Sequence, residues 1–355
     1  MEQATRKQPL IIAIGGGKGG VGKSMVSSNF AVQYAQAGFK VALVDLDVGA
    51  ANLHTIFGIR QPPHGLGEYF TTPRSQLGDY LLETAIPNLS LVAGSGFVPE
   101  LANIKHMQKV KVINQVRRLD ADLVLLDLGA GSSINVVDFF SMTNAGIIVT
   151  SPEPTAIVNA YEFLKNVSYR FLFRMFRNQP QLLDIIKGCA IPEGKTPQTM
   201  EQIIETIGNV SPWAAETVRD VIDDLDFYIL FNQSKKPSEV LLGEKLNTIT
   251  ERYLGIRLNY AGMIFYNEEV SRAVLKMNPI SIANPQSVTT KTLKRVALAT
   301  LGQIATKMKR GAGETFEAQY ARAAAHAKKD YTQNLLTQRR LMKEEEAEET
   351  ADLGL

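Results

Sequence analysis

The stretch from Gly15 to Ser24, GGGKGGVGKS, constrains this chain more tightly than any other part of it. It follows directly on the apolar run Leu10 to Ile14, and every residue from 15 to 22 except Lys18 and Val21 is glycine. Gly17, four intervening residues, and then Gly22, Lys23 and Ser24 match the pattern of a phosphate-binding loop, set between a strand and a helix as the pattern requires. The chemistry needs these residue types. Glycine lets the backbone turn its N–H groups onto phosphate oxygens, and a helix expected over about Lys23 to Ala37 adds the positive end of its dipole. Lys23 then reaches the β and γ phosphates and the Ser24 hydroxyl holds Mg²⁺. The loop predicts a doubly wound α/β fold with a mostly parallel sheet. Gly17, Gly19, Gly20, Val21, Gly22, Lys23, Ser24 and Met25 are the expected nucleotide contacts.

Two further apolar runs deliver carboxylates to the same edge of such a sheet. Lys40 to Asp45 (KVALVD) reads as a buried strand and ends in Asp45-Leu46-Asp47. Ala121 to Asp127 (ADLVLLD) is a second, followed by Gly129, Ala130 and Gly131. In open α/β sheets ligands bind at the carboxyl ends of the strands, and a buried strand delivering an acid beside a phosphate loop supplies the Mg²⁺ shell. Asp127 is therefore a metal candidate. Leu89 to Ala93, Ala145 to Ser151 and Asp226 to Gln233 are the remaining strand candidates.

Composition narrows the class. At 355 residues the chain exceeds one average domain, but one doubly wound sheet with appendages absorbs it. The net charge of +2 does not suggest a strongly basic nucleic-acid binder. Cys189 is the only cysteine, which excludes a disulfide framework and a thiolate cluster and fits a reducing cytosol. The first residues lack a signal-peptide apolar region, and no apolar run reaches about 18 residues. The expected location is cytoplasmic, at most peripheral at the inner face of the membrane or the cell pole.

Lys18 makes the loop KGGVGKS, which resembles the deviant Walker A motif of the MinD/ParA ATPases. The resemblance implies ATP and Mg²⁺ as cofactors and a homodimer in the ATP state, with Lys18 reaching the partner subunit's phosphates. DLDVGAANLH (45–54) resembles that family's switch I. Carried over, Asp45 joins Ser24 and Asp127 around the metal, Asp47 orients the attacking water, and Asn52 lies nearby. Gly131 is the switch II glycine, although Gly129 stands where many members carry proline. Asn232-Gln233-Ser234-Lys235 lacks the aspartate with which Asn-Lys-x-Asp proteins read guanine, and Asn232 takes the position of the family's adenine contact. Within the family, DLGAG and TSPEPTAIVNAYEFLK are most similar to the FlhG flagellar-number regulators. Met1 to Ala4 resembles, with glutamate for aspartate, the motif by which FlhG proteins stimulate a partner GTPase, FlhF.

The chain departs from its family in two places. A helical insertion is expected over about 168–225, opening on Tyr169 to Arg177, where Tyr169, Leu172, Phe173 and Phe176 share one face and Arg170, Arg174 and Arg177 run beside it. Such a stripe can lie among lipid headgroups, or pack on the core with its arginines reaching water. Gln198 to Ile207 and Pro212 to Leu225 read as two further helices, with Trp213 expected in their core. Residues 1–9 form an extension, 10–312 the ATPase domain and 313–355 a charged, helical or partly disordered tail ending in an acidic run. The expected function is a dimerising ATPase regulating polar structures such as flagella, through an activating or effector protein and a membrane surface. Competing readings are ParA-like partitioning on nonspecific DNA and a scaffold that binds nucleotide without hydrolysis.

Overall fold

The computed structural model describes residues 8–47, 51–94, 106–190, 198–308 and 316–352. The chain opens with β1 (Leu10–Gly15), α1 (Lys23–Gln36), β2 (Val41–Asp45), α2 (Leu53–Ile56) and α3 (Leu66–Thr71). There follow β3 (Leu82–Glu83), β4 (Leu89–Val92), α4 (His106–Val116), β5 (Leu123–Asp127), α5 (Ile134–Phe140) and β6 (Ala145–Thr150). Four helices come next: α6 (Pro154–Met175), α7 (Pro180–Ala190), α8 (Met200–Val210) and α9 (Pro212–Asp224). The chain then runs through β7 (Phe227–Ser234), α10 (Leu241–Leu254), β8 (Asn259–Phe265), α11 (Glu268–Leu275), α12 (Ile280–Ala283), α13 (Val288–Met308) and α14 (Phe316–Asp352).

The strands form one sheet in the order β3-β4-β2-β5-β1-β6-β7-β8, parallel throughout except for the two-residue β3. This is the expected doubly wound architecture. Strands such as Val41–Asp45, Leu123–Asp127 and Ala145–Thr150 are buried along their whole length, because helices cover both faces and leave no side for alternating polar residues. On one face Phe30 and Tyr34 of α1 meet Leu293 and Ile304 of α13. On the other, Val112, Val137 and Phe163 of α4, α5 and α6 continue into the helices between β6 and β7.

Those helices pack on the core. α6 runs unbroken from 154 to 175, so the stripe expected to open an insertion is the second half of a helix that begins beside β6. Tyr169, Leu172 and Phe176 are buried and Phe173 packs against the same cluster. Two of the three arginines are engaged by the chain itself, while Arg177 is exposed. Arg170 Nε donates to Asp138 Oδ1 at 2.6 Å, and Arg174 Nη1 to Ser141 Oγ at 3.1 Å, both on or just after α5. Lys109 of α4 closes the cluster, its Nζ 2.6 Å from Asp138 Oδ2, with both side chains buried. The lipid-facing alternative for this stripe is thereby corrected. α5 and α7 pack against α6.

Two caps fix the later helices: Thr199 with Gln202 forms a capping box on α8, and Ser211 caps α9 ahead of Pro212. Trp213 is not in their core but 63% exposed. α9 turns Ala214, Ala215, Val218 and Ile222 inward, and a residue directly before Ala214 falls on the opposite side.

α14 lies along the edge strand β8 and contacts both faces of the sheet. Asp330 pairs with Arg295 of α13 on one side, while Tyr331 lies tilted against Phe265, 5.5 Å between ring centroids, and joins the cluster on the other. The extension expected at 1–9, including Met1 to Ala4, falls outside the described residues up to Lys7. Of Phe316, Tyr320, Ala323, Ala327 and Tyr331, which recur along the tail at spacings of three and four and give one weakly apolar stripe, only Tyr331 has a described side chain.

Candidate functional site

β1 ends at Gly15, and the chain from Gly16 to Gly22 wraps over the carboxyl edge of the sheet into α1. Gly16, Gly17 and Gly22 are sterically required, the first because a Cβ there would meet the Val149 carbonyl oxygen at 2.4 Å. A Cβ on Gly17 would meet the backbone oxygen of Asn159 in α6 at 1.9 Å, and Gly22, at φ +87°, would place one 2.3 Å from Asn232 Nδ2. The loop is thus pressed against α6 on one side and the end of β7 on the other.

The β7 side is bonded as well as packed. Asn232 Nδ2 donates to the Val21 carbonyl at 2.9 Å, and Gln233, in the left-handed region at φ 59°, sends Nε2 to the Gly20 carbonyl at 3.0 Å. Asn232, expected beside the base, is 2% exposed and engages the loop through its amide nitrogen.

The carboxylates arrive as the strand register dictates. Asp45 of β2 stands opposite Asp127 of β5, and Asp127 opposite Ile14 of β1. Both aspartates are 1% exposed. Burial, then the Asp127 charge, pushes the Asp45 carboxyl up to about 8, against hydrogen bonds from the backbone N–H groups of Asp47 and Leu53. Burial raises Asp127 to about 6, against the Ser24 and Ser27 hydroxyls and the Lys23 charge. Lys23 is lowered by its own burial, against the pull of Asp127 and Asp47. Its Nζ lies 3.4 Å from the Lys18 carbonyl. Lys23, Ser24, Asp45, Asp47 and Asp127 therefore belong to one electrostatic cluster.

The Gly129–Gly131 turn, expected as switch II, touches this cluster. The Gly131 N–H donates to the Gly16 carbonyl at 3.2 Å, and a Cβ on Gly129 would stand 3.0 Å from Asp47 Oδ1, so glycine in place of proline leaves Asp47 room. Asn52 is exposed at the start of α2 and Met25 is partly buried in α1. Residues 48–50 of switch I fall outside the described residues.

Lys18 is held within its own chain. Its Nζ lies 2.6 Å from Glu153 Oε2 and 3.1 Å from Thr155 Oγ1, at the start of α6. The hydrogen bond and charge of Lys18 hold the Glu153 carboxyl below its ordinary range. Neither this pair nor the Gln233 contact was expected from the sequence. Glu153 reads there only as part of Pro-Glu-Pro, and a left-handed glutamine carries no local signal.

The donors suit Mg²⁺. Among the described residues no three His, Cys, Asp or Glu side chains form a metal cage by themselves. The candidate set is a hydroxyl and carboxylates, oxygen only, as befits an ion that keeps water and phosphate among its ligands. Asp127 Oδ1 is moreover buried with no hydrogen-bond partner, which a hydrated cation would satisfy.

Residues 12–280 match the family model described as the CobQ/CobB/MinD/ParA nucleotide binding domain. The chain is 27% identical over 301 residues to the antiactivator FleN of Pseudomonas aeruginosa, covering 84% of this chain and 88% of that one. It is 33% identical over 201 residues to the flagellum site-determining protein YlxH of Helicobacter pylori, covering 56% of this chain and 64% of the relative. Among solved structures it is similar to the septum site-determining protein MinD of Pyrococcus horikoshii, complexed with Mg-ADP. The TM-score is 0.58 at 18% identity, over 84% of this chain and 97% of that one.

Proposed function

The chain belongs to the CobQ/CobB/MinD/ParA nucleotide-binding family, and from that premise we propose that it is a Mg-ATP-dependent dimerising switch of the FlhG/MinD kind. It sets the place or number of a polar structure such as the flagellum, and ATP hydrolysis resets it. The observation that carries this reading is the convergence of Lys23, Asp45, Asp47 and Asp127 on one buried edge beneath the glycine loop, together with similarity to FleN over most of both chains.

In this reading the loop N–H groups and Lys23 bind the phosphates, and Lys23 neutralises charge gathering on the transferred group. Asp47 positions the attacking water. Ser24, with Asp127 and Asp45 behind it, holds Mg²⁺, which supplies further positive charge to the phosphates. Asn232 lies beside the base. Lys18 leaves Glu153 and crosses to the phosphates of a second copy, so the ATP state is a dimer and its surface is the output. The partners are that second copy and an activating or effector protein. Among the described residues no helix is long and apolar enough to cross a membrane.

Asp47→Ala tests the reading. The variant is expected to bind Mg-ATP, to release phosphate at least about a hundredfold more slowly, and to run as a dimer by size-exclusion chromatography with light scattering. A monomer in saturating Mg-ATP overturns the dimer switch. ATP-dependent, salt-sensitive binding to duplex DNA would instead favour the partitioning function.

A further inference from the structure

The end of β7 carries one residue more than its neighbour can pair. Phe231 stands opposite Met263 of β8 and Ser234 opposite Phe265, so three steps along β7 match two along β8. The extra residue makes a bulge at Asn232-Gln233, where Gln233 takes a left-handed backbone at φ 59°. In a regular strand neighbouring side chains point to opposite faces. Here two neighbours both reach the phosphate loop, Asn232 Nδ2 at the Val21 carbonyl and Gln233 Nε2 at the Gly20 carbonyl. The bulge brings the second amide round to the side of the first.

Those two carbonyls belong to consecutive peptide units. A trans peptide is planar, with its C=O and N–H on opposite sides. A side chain that holds the Gly20 carbonyl therefore sets the direction of the Val21 N–H, and one that holds the Val21 carbonyl sets that of the Gly22 N–H. Both N–H groups are turned away from β7. Val21 lies between two left-handed glycines, Gly20 at φ +79° and Gly22 at φ +87°, and successive backbone N–H groups in such a conformation form a concave anion site. Glycines at 19, 20 and 22 give the backbone little resistance of its own to turning over. The tethers from β7 supply it.

Resting on the proposed nucleotide site, we infer that Gln233 is a positioning residue for phosphate binding: from its bulge it pins the Gly20 carbonyl and so aims the Val21 N–H at the phosphates. Asn232 does not duplicate this, because its amide acts on the next peptide unit. A left-handed backbone costs free energy for a non-glycine residue, and strain of this kind gathers at binding sites, where the surrounding structure holds it for use. Gln233 touches the loop through the carbonyl side of the peptide, so it acts on the ligand only through Val21. If the contact merely stitches β7 to the loop, its loss weakens the fold and leaves nucleotide affinity as it was.

The test measures binding rather than turnover, on the full chain. Mg-ADP affinity is read by calorimetry, and thermal melting without nucleotide by circular dichroism, for the natural chain, Gln233→Ala and Gln233→Gly. Glycine at 233 lacks the amide but adopts the left-handed backbone without penalty, so this variant keeps the bulge and decides the matter even if Gln233→Ala fails to fold. Both variants are expected to bind Mg-ADP about tenfold more weakly, the worth of one hydrogen bond to a charged group, with Gln233→Gly melting like the natural chain. Unchanged affinity in Gln233→Gly, whatever its melting temperature, makes the contact structural only; it overturns the positioning role and leaves the nucleotide site standing. A natural chain that binds no Mg-ADP overturns both.

Discussion

Lys18 and Glu153, 135 residues apart in the chain, form an ion pair with 2.6 Å between Nζ and Oε2. A lysine proposed to serve a second copy of the protein is thus satisfied at home. Pairing in cis and reaching across in trans exclude one another, so in the proposed dimer Glu153 competes with the crossing of Lys18. The pair is solvent-exposed, and such pairs are weak. Glu153→Gln should therefore lower the protein concentration at which Mg-ATP drives dimerisation only severalfold, as read by sedimentation equilibrium. Lys18→Ala should retain nucleotide and lose turnover. An unchanged dimer midpoint in Glu153→Gln would remove Glu153 as a competitor.

Gly17 is fixed by α6 rather than by its own backbone conformation. Gly17→Ala brings a Cβ 1.9 Å from the Asn159 carbonyl oxygen, so the loop or the helix must move. Overpacking of this kind costs on the order of 1–3 kcal/mol, and the displaced loop should no longer retain nucleotide. At Gly19 the same atom meets nothing nearer than 3.8 Å. Thermal melts should separate the two, with Gly19→Ala unfolding like the natural chain.

Asp138 joins α4, α5 and α6 through Lys109 and Arg170. Burial would raise its carboxyl, but hydrogen bonds from Arg170 and Lys109 outweigh this and hold it below the usual carboxylate range. A carboxyl depressed on folding stabilises fully above its unfolded value, about 3.9, and loses that contribution as pH falls through the folded value. Asp138→Asn strands a buried lysine and should cost about 3–5 kcal/mol at neutral pH. In urea titrations the gap between the natural chain and the variant should be full at about pH 7 and narrow below about pH 4.

Phe176 is completely buried at the end of α6. Phe176→Ala should cost about 3–5 kcal/mol in unfolding free energy while leaving any sedimentation with anionic vesicles unchanged. A large loss of vesicle binding at full stability would instead mean that this end of α6 leaves the core to meet lipid.

Much of the fold is legible in the sequence, because strands buried on both faces spell themselves as unbroken apolar runs and the loop supplies its own punctuation. Asp45 and Asp127 fall at strand ends, so their meeting follows once both strands are parallel neighbours of the same sheet. What the sequence hides is pairing between distant polar residues. Nothing near Arg170 reveals Asp138, and an arginine beside an aromatic stripe reads equally as lipid-facing. Trp213 is misread for a related reason, since its size suggests burial while the alanines after it mark the face that α9 turns inward. The two-residue β3 is too short to leave a pattern. Gln233 takes its left-handed conformation from the Gly20 carbonyl it must reach, a cause located more than two hundred residues upstream.

The two borders of the sheet have one more consequence. One ends in β3, two residues long and antiparallel to its neighbour; the other is roofed by α14. Neither presents the long row of free amides and carbonyls on which strands of other molecules add end upon end. Among the described residues, growth into filaments through the sheet has no starting point, and the proposed meeting of two copies falls to the carboxyl edge carrying the glycine loop. A patch that faces itself closes on itself. In the proposed dimer the count therefore stops at two.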